Sequence, residues 1–501
     1  MEIKLSGSSE PIQISAASGF SLHAPGMYGM IKEMDTSEMT TRGPGIEDEM
    51  HKKIMASMAS NEVLLFNQFE IEIEKDEYEG ADESTTRAAG ITRTTELGEP
   101  AMVLNTPKTR KNMMCAVLHT DENGENRWVF PEEHDDDKFS FMLPREGAEP
   151  MPEKGSNVRG KITKGIRRLV KVFAWLADDL IELGALALVK KWESKNRPYG
   201  LNLMAPGNTE GLEMDWDKIA GKRSLLLLHG TFSTWQAAFD GLIKSDWMNR
   251  LNDYYDGRIF AFNHPSLHHF PADNVKEFLK MKPSGADLDL DMLTHSRGGL
   301  VGREMIERLD QLDGKEHNIK VNKAIFVAGP HQGTILTDKD NWVKLIDSYT
   351  NLLTSLPDNT ATIILESLIT LIKVVGGGAV ASIPGLQAMQ PKGDYIKRLN
   401  SSPKVDTTYY TMGANYVPYD EKLLVRFGKK LLMKVLAKVF GEDNDMVVPT
   451  LGSFDSGAAA GGFPIPSSRQ IKYEMDTDLN HLNYFTDDVV NKQIFKWLNE
   501  S

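Results

Sequence analysis

Apolar and polar positions change their spacing repeatedly along this chain, and each change marks a strand or a helix. Ser224-Leu-Leu-Leu-Leu-His-Gly230 is a continuous apolar run ending in His-Gly, which reads as a buried strand, and a helical pattern starts at Trp235. Leu288-Asp-Leu-Asp-Met-Leu293 alternates as strands do, and 300–309 then sets Val301, Met305 and Ile306 at helical spacing. Further strands are predicted at 258–262 and 469–473.

The first third reads differently. Residues 1 to about 60 are rich in Ser, Gly and Met with few apolar runs, which reads either as partly irregular chain or as a poorly patterned helical segment around 46–58. Strand-like runs follow at 63–66, 69–74, 101–104, 114–118, 127–130 and 139–143, and Asp121-Glu-Asn-Gly124 has the composition of a hairpin turn. These runs predict a small β-rich accessory domain over 1–155. Recognition of a protein partner, holding of a regulator and plain packing are all compatible with it.

Leu169, Val172, Phe173, Leu176, Leu180, Leu183 and Ala187 then fall on one stripe at helical spacing, with Arg168, Lys171, Asp179 and Glu182 off it. This predicts an amphipathic connecting helix within 156–205, ended by Asn196-Arg-Pro-Tyr-Gly200. The mixed charges favour packing against protein over lying on a membrane. Farther on, 363–375 is a strongly apolar helical pattern followed by Gly376-Gly-Gly378. Residues 423–440 set Arg426, Lys429, Lys430, Lys434 and Lys438 beside an apolar stripe, as solvated lysines or as a face for anionic headgroups.

Chemistry concentrates at Thr294-His-Ser-Arg-Gly-Gly299, where a strand gives way to a helix. A serine in such a turn is exposed on a strained backbone and needs small residues two positions to either side. Gly298 meets that need, whereas Thr294 stands where a glycine is usual. Backbone N–H groups of Thr231 or Phe232, with that of Arg297, would supply two donors to an oxyanion. Asp445, beside Met-Val-Val-Pro449, is favoured over Asp443 and Glu442 as the acid. His481 alone among the histidines follows the last strand and precedes a helix. His331 and Gln332 either shape the pocket or form a turn. Serine, acid and histidine thus occur in the order Ser296, Asp445, His481.

Five segments, His229-Gly-Thr231, Thr294–Gly299, Ala328-Gly-Pro-His-Gln-Gly-Thr334, Asp445-Met-Val-Val-Pro449 and His481-Leu-Asn-Tyr-Phe485, carry a resemblance. From about Arg223 onward the chain resembles a bacterial lipase/esterase-like serine hydrolase of the α/β-hydrolase superfamily. The resemblance implies an α/β fold over 206–501, with a mostly parallel sheet, helices on both faces and a helical cap or lid inserted at about 340–395. It implies hydrolysis of carboxylic esters, above all lipid or phospholipid acyl esters, with Ser296 as nucleophile, His481 as base and Asp445 orienting it. In the lid reading, Leu365, Leu368, Ile369 and Ile372 would line or cover an acyl pocket. An acyltransferase or peptidase with the same triad, and a non-catalytic interaction protein on this scaffold, are the competing readings.

Composition narrows the setting. The chain has 501 residues, 41% of them hydrophobic, enough for at least two cores. A net charge of −14 argues against nucleic acid as a principal partner, because phosphate binding depends on clustered positive charge. Cys115 is the only cysteine, which leaves no internal disulfide framework and suits a reducing cytoplasm. Met1-Glu-Ile-Lys-Leu-Ser-Gly shows no secretory signal, although export without one is compatible with it. The most apolar stretches are interrupted by Asp178, Asp179 and Glu182, or by Glu366 and Lys373, so no spanning helix is expected and any lipid contact would be peripheral. No Cys or His spacing points to zinc, Glu132-Glu-His-Asp-Asp-Asp137 reads as a solvated loop, and no cofactor is implied.

Overall fold

The computed structural model describes residues 1–17, 19–35, 49–76, 101–121, 124–134, 137–145, 166–313, 317–353, 356, 358–378, 382–416, 440–474 and 477–500. The chain forms two compact units, the first running over Met1–Glu182 with a short return beginning at Leu371, the second over the remaining described residues.

The first unit is built from antiparallel strands β1 (Glu2–Ser6), β2 (Ile12–Gln13), β3 (Ser21–His23), β4 (Met27–Glu33), β5 (Leu64–Asp76), β6 (Ala101–Pro107), β7 (Met113–Thr120), β8 (Asn126–Val129), β9 (Glu133–His134), β10 (Lys138–Pro144) and β11 (Ile166–Leu176). They form one sheet in the order β1-β4-β5-β11-β7-β8 and another in the order β2-β3-β6-β10-β9. Phe69, Ile71, Val117 and Val170 of the first sheet share a core with Leu22, Leu104, Phe139 and Phe141 of the second.

Two expectations are corrected in this unit. Residues 1–33 hold four short strands rather than irregular chain; β1 and β3 each bury a single residue, Leu5 and Leu22, and β4 buries Met27, Gly29 and Ile31, so the segments are too brief to stand out. Residues 166–176 form β11, an inner strand, and not a helix. Both faces of β11 are buried, so its apolar run carries no alternation, and Leu169, Val172, Phe173 and Leu176 fit the helical stripe by coincidence. Arg168 and Lys171, assigned to a solvated face, are buried at 1% and 3% exposure, and Arg168 donates to the Arg145 carbonyl at 2.6 Å. Helices begin only at Asp178–Leu183 and Ala185–Asn196.

The second unit contains β12 (Gly200–Ala205), β13 (Asn208–Glu213), β14 (Arg223–Leu228), β15 (Ile259–Asn263), β16 (Leu288–His295), β17 (Ile319–Val327), β18 (Thr408–Ala414) and β19 (Gln470–Tyr473), in the sheet order β13-β12-β15-β14-β16-β17-β18-β19. Pairing is parallel from β15 through β19, and β12 pairs antiparallel with β13 and β15. The period of two along each strand creates two cores. Leu225, Leu227, Leu293 and Ile325 face the helices Trp235–Ile243, Asp246–Tyr254 and Asp488–Asn499; Leu226, Leu228, Met292 and Phe326 face Pro271–Met281 and Gly298–Glu307. This is an α/β fold, a mostly parallel sheet with helices on both faces. It begins at Leu183, before the expected boundary at 206, because helix Ala185–Asn196 and β12 belong to it.

Between β17 and β18 lie helices Trp342–Leu352, Asp358–Gly376, Pro384–Gln387 and Asp394–Leu399. The stretch Asn359–Gly376 is, by length and composition alone, apolar enough to cross a membrane, and 67% of it is buried within the protein, as in a core helix. The lysine-bearing pattern at 423–440 lies outside the described residues, apart from its last position.

Candidate active site

Ser296 sits between β16 and helix Gly298–Glu307 with φ 53°, a left-handed conformation that a serine adopts only under constraint. The constraint is visible on both sides. A Cβ on Gly298 would be driven into the carbonyl oxygens of Leu228 and His229, and one on Gly230 would lie 2.7 Å from Ser296 Cβ. Thr294, the departure from the usual pattern, is fully buried and faces Gly302, where an added Cβ would come within 3.3 Å of its Cγ2. The small residue needed at the crossing has moved one turn into the helix.

The structure brings the three separated candidates together. His481 Nε2 is 3.0 Å from Ser296 Oγ, and its Nδ1 is 2.8 Å from Asp445 Oδ2. Asp445 is held by its own turn: Met446 has φ 80°, and the N–H groups of Val447 and Val448 donate to Asp445 Oδ1 at 3.1 and 2.8 Å. Tyr484 donates its hydroxyl to Oδ2 at 3.2 Å, while the His481 N–H reaches the Asp445 carbonyl at 3.0 Å. His295 Nε2 lies 2.8 Å from the His481 carbonyl, fixing the loop from the other side. All three groups are almost completely buried, Ser296 at 2%, Asp445 at 2% and His481 at 0% exposure.

The N–H groups of Thr231 and Arg297 donate to no acceptor among the described residues, which leaves both available beside the serine. Phe232 differs from expectation. Its N–H is engaged by Ser266 Oγ at 3.1 Å, and its φ of 61° turns the chain there. The Arg297 side chain donates to the His269 carbonyl at 2.6 Å and to Asn274 Oδ1 at 3.0 Å.

A cavity of about 10 Å³, close to the least space that holds one water, adjoins Ser296. Its walls are Thr231, Phe232, Leu345, Tyr349, Leu386 and Met389, with Thr334, Thr337, Val447 and Val448 completing it. Tyr349 stands edge-on to Phe232 at 4.9 Å and to His481 at 6.1 Å. Leu365, Leu368, Ile369 and Ile372 are not among these residues. Each is at 0% exposure, so their helix is apolar because it is buried on several sides; the walls come instead from Trp342–Leu352 and from Pro384 to Met389.

Neighbouring histidines are kept neutral. Burial lowers His229 to about 4, against a partial opposing effect of the Gly230 carbonyl, and lowers His295 to about 3, with the adjacent His481 adding to it. His264, stacked on His229 at 4.1 Å, is lowered further by burial and then by His229 and Arg297. His331 is fully buried against Phe326 and Phe463, and Gln332 donates to the Asp455 carbonyl at 3.2 Å; neither lines the cavity.

Residues 201–499, more than half of the chain, match the family described as domain of unknown function DUF7379. The chain belongs to the DUF7379 family. Solved structures similar to it include phospholipase PlaB from Legionella pneumophila, at 12% identity over 46% of this chain with a TM-score of 0.30. Lipase 1 from Pelosinus fermentans is 12% identical over 56% of this chain and 99% of its own, with a TM-score of 0.36. Homoserine O-acetyltransferase from Staphylococcus aureus is 12% identical over 56% and 86%, with a TM-score of 0.32. The chain spans 45% of the length of the Legionella phospholipase. No curated protein matches the sequence.

Several residues at the DUF7379 site were not singled out from sequence. Tyr349 and Leu386 sit in short helices whose moderate apolarity resembles any amphipathic surface helix, and Met389 lies in the turn after the second of them. Tyr484 lies three residues after His481, and nothing in its spacing distinguishes it. Glu193 did carry a signal: it shares the buried stripe Ala185, Val189, Glu193 on helix Ala185–Asn196, an acidic residue at an apolar position.

Proposed function

We propose that this chain is a serine hydrolase of carboxylic esters, acting on lipid or phospholipid acyl esters through Ser296, His481, Asp445 and an acyl-enzyme. The observation that carries the reading is the unbroken hydrogen-bond path from Ser296 Oγ through both ring nitrogens of His481 to Asp445. A serine hydroxyl is a weak nucleophile at neutral pH. His481 Nε2 accepts its proton as Oγ attacks the carbonyl carbon, while Asp445 accepts the Nδ1–H bond, holding the tautomer and stabilising the imidazolium.

The resulting oxyanion accepts hydrogen bonds from the N–H groups of Thr231 and Arg297. Collapse breaks the C–O bond to the alcohol, which leaves with the proton from His481. Water then attacks the acyl-serine by the same path, releasing the acid and restoring the hydroxyl.

The substrate class is supported by the cavity walls. Phe232, Leu345, Tyr349, Leu386, Met389, Val447 and Val448 offer apolar surface beside Ser296 and no charged partner for a peptide or sugar. With Ser296 buried, acyl chains enter only when Leu345 and Tyr349 or Leu386 and Met389 move aside.

A fluorophosphonate probe tests the reading. Labelling of the native protein at Ser296, lost in Ser296→Ala and reduced at least about 100-fold in His481→Ala, is expected. A native protein that stays unlabelled with and without phospholipid vesicles refutes it. Turnover of phospholipids or triglycerides faster than of short esters and peptides supports the lipid assignment, and the reverse order overturns it.

A further inference from the structure

Glu193 is the most completely bonded acid near the site, and it lies outside the 201–499 family match. It is 1% exposed on helix Ala185–Asn196, a poor place for a carboxylate unless donors surround it. They do. Ser266 N–H reaches Oε1 at 2.7 Å, Leu267 N–H reaches Oε1 at 2.9 Å and Oε2 at 3.2 Å, and His268 N–H reaches Oε2 at 2.8 Å. His268 Nδ1 adds a contact to Oε2 at 2.6 Å, and the Ser266 hydroxyl lies 3.4 Å from Oε1. Burial raises this carboxyl, but the bonds from His268 and the loop amides outweigh it and leave it below the usual range, so Glu193 is the ion that these donors require.

The clamped loop 266–268 supports the candidate site twice. Ser266 Oγ accepts the Phe232 N–H at 3.1 Å, holding Phe232 at φ 61° immediately after Thr231, whose N–H is a proposed oxyanion donor. On its other side the Leu267 carbonyl accepts the Gly385 N–H at 2.7 Å. Gly385 is packed so closely that a Cβ would run into the Ser266 carbonyl, and the following Leu386 and Met389 are walls of the cavity.

We infer that Glu193 is a positioning residue for ester hydrolysis, which, through Ser266 and Leu267, sets both the Thr231-Phe232 turn and the Leu386–Met389 wall against Ser296. The inference rests on the hydrolase reading above, and it makes a helix upstream of the matched family region a working part of the site. An acyl oxyanion needs its donors placed before it forms, and a displacement of about 1 Å in such a group costs about 100-fold in rate.

The test uses the full chain as Glu193→Gln, Ser266→Ala and the double variant, with active sites counted by fluorophosphonate burst. Glutamine keeps the size but turns an N–H₂ group toward N–H donors. In Glu193→Gln, kcat per active site is expected to fall about 10- to 100-fold with KM changed less than about 3-fold. Ser266→Ala is expected to fall about 10-fold, and the double variant no further than the lower single.

Hydrogen exchange supplies a readout that needs no activity: amides of 230–232 and 266–268 should lose protection in Glu193→Gln while those of β16 do not. Equal kcat per active site, or unchanged exchange at 230–232, overturns the inference. Should Glu193→Gln not fold, Ser266→Ala decides by the same kcat and exchange criteria. Failure of the native protein to label would instead sink the hydrolase reading, and the exchange result would still judge the clamp.

Discussion

Acid should loosen the second unit through histidines it buries neutral. His229 and His295 are buried, at 0% and 5% exposure, and burial holds them at about 4 and about 3 against an ordinary imidazole value of 6.5. As pH falls below 6.5 the unfolded chain takes up these protons while the folded one does not, so each group's contribution is present above 6.5 and is lost as pH falls toward its folded value. For His229 the whole difference corresponds to about 3 kcal/mol, and for either residue the loss between pH 8 and pH 5 is about 2 kcal/mol. The measurement is the opening free energy of β16 amides by native-state hydrogen exchange at pH 8, 7, 6 and 5. It should drop steeply below pH 6.5, and His295→Phe, placing an apolar ring beside Tyr484 and Phe485, should lessen the slope by about one proton. A flat profile across this window, or an equal slope in His295→Phe, refutes the assignment of these rings as neutral and buried.

Two further outcomes follow from the same geometry. Tyr484→Phe removes one donor from Asp445 Oδ2 while the Val447 and Val448 amides remain on Oδ1, so kcat of ester hydrolysis should fall only about 3- to 10-fold with KM unchanged, measured by steady-state kinetics. Gly298→Ala should destabilise the unit by about 3 kcal/mol, because its Cβ meets the carbonyls of Leu228 and His229; Gly299→Ala, whose Cβ first meets a Phe326 side chain at 3.3 Å, should cost well under half of that in the same hydrogen-exchange assay.

How legible each part was depends on whether its spacing had a rival explanation. β14 and β16 were readable because a four-leucine run and a clean alternation each sit between turn residues, and the pattern Thr294–Gly299 joins one of them to a helix. β11 was misread for the opposite reason. A strand covered on both faces shows no clean alternation, so the apolar residues of Ile166–Leu176, interrupted by Arg167, Arg168 and Lys171, can be joined into a stripe at helical spacing. The discriminating feature was charge: Arg168 and Lys171 needed solvent in the helical reading, and in the sheet Arg168 finds the Arg145 carbonyl instead.

The candidate site divides along the same line. Ser296, Asp445 and His481, which the structure brings within hydrogen-bond reach of one another, were readable because each belongs to a short motif. Apolarity, by contrast, measures burial, not proximity to a nucleophile. Leu365, Leu368, Ile369 and Ile372 are at 0% exposure, but the wall residues Phe232, Leu345, Tyr349 and Leu386 are buried almost as completely, so burial alone does not say which apolar side chains stand beside Ser296. Glu193 adds the converse rule. An ionisable residue found on an apolar stripe has to be answered by donors that come from elsewhere in the chain, here three consecutive amides and an imidazole more than 70 positions away, so the stripe identifies that something is held without saying what.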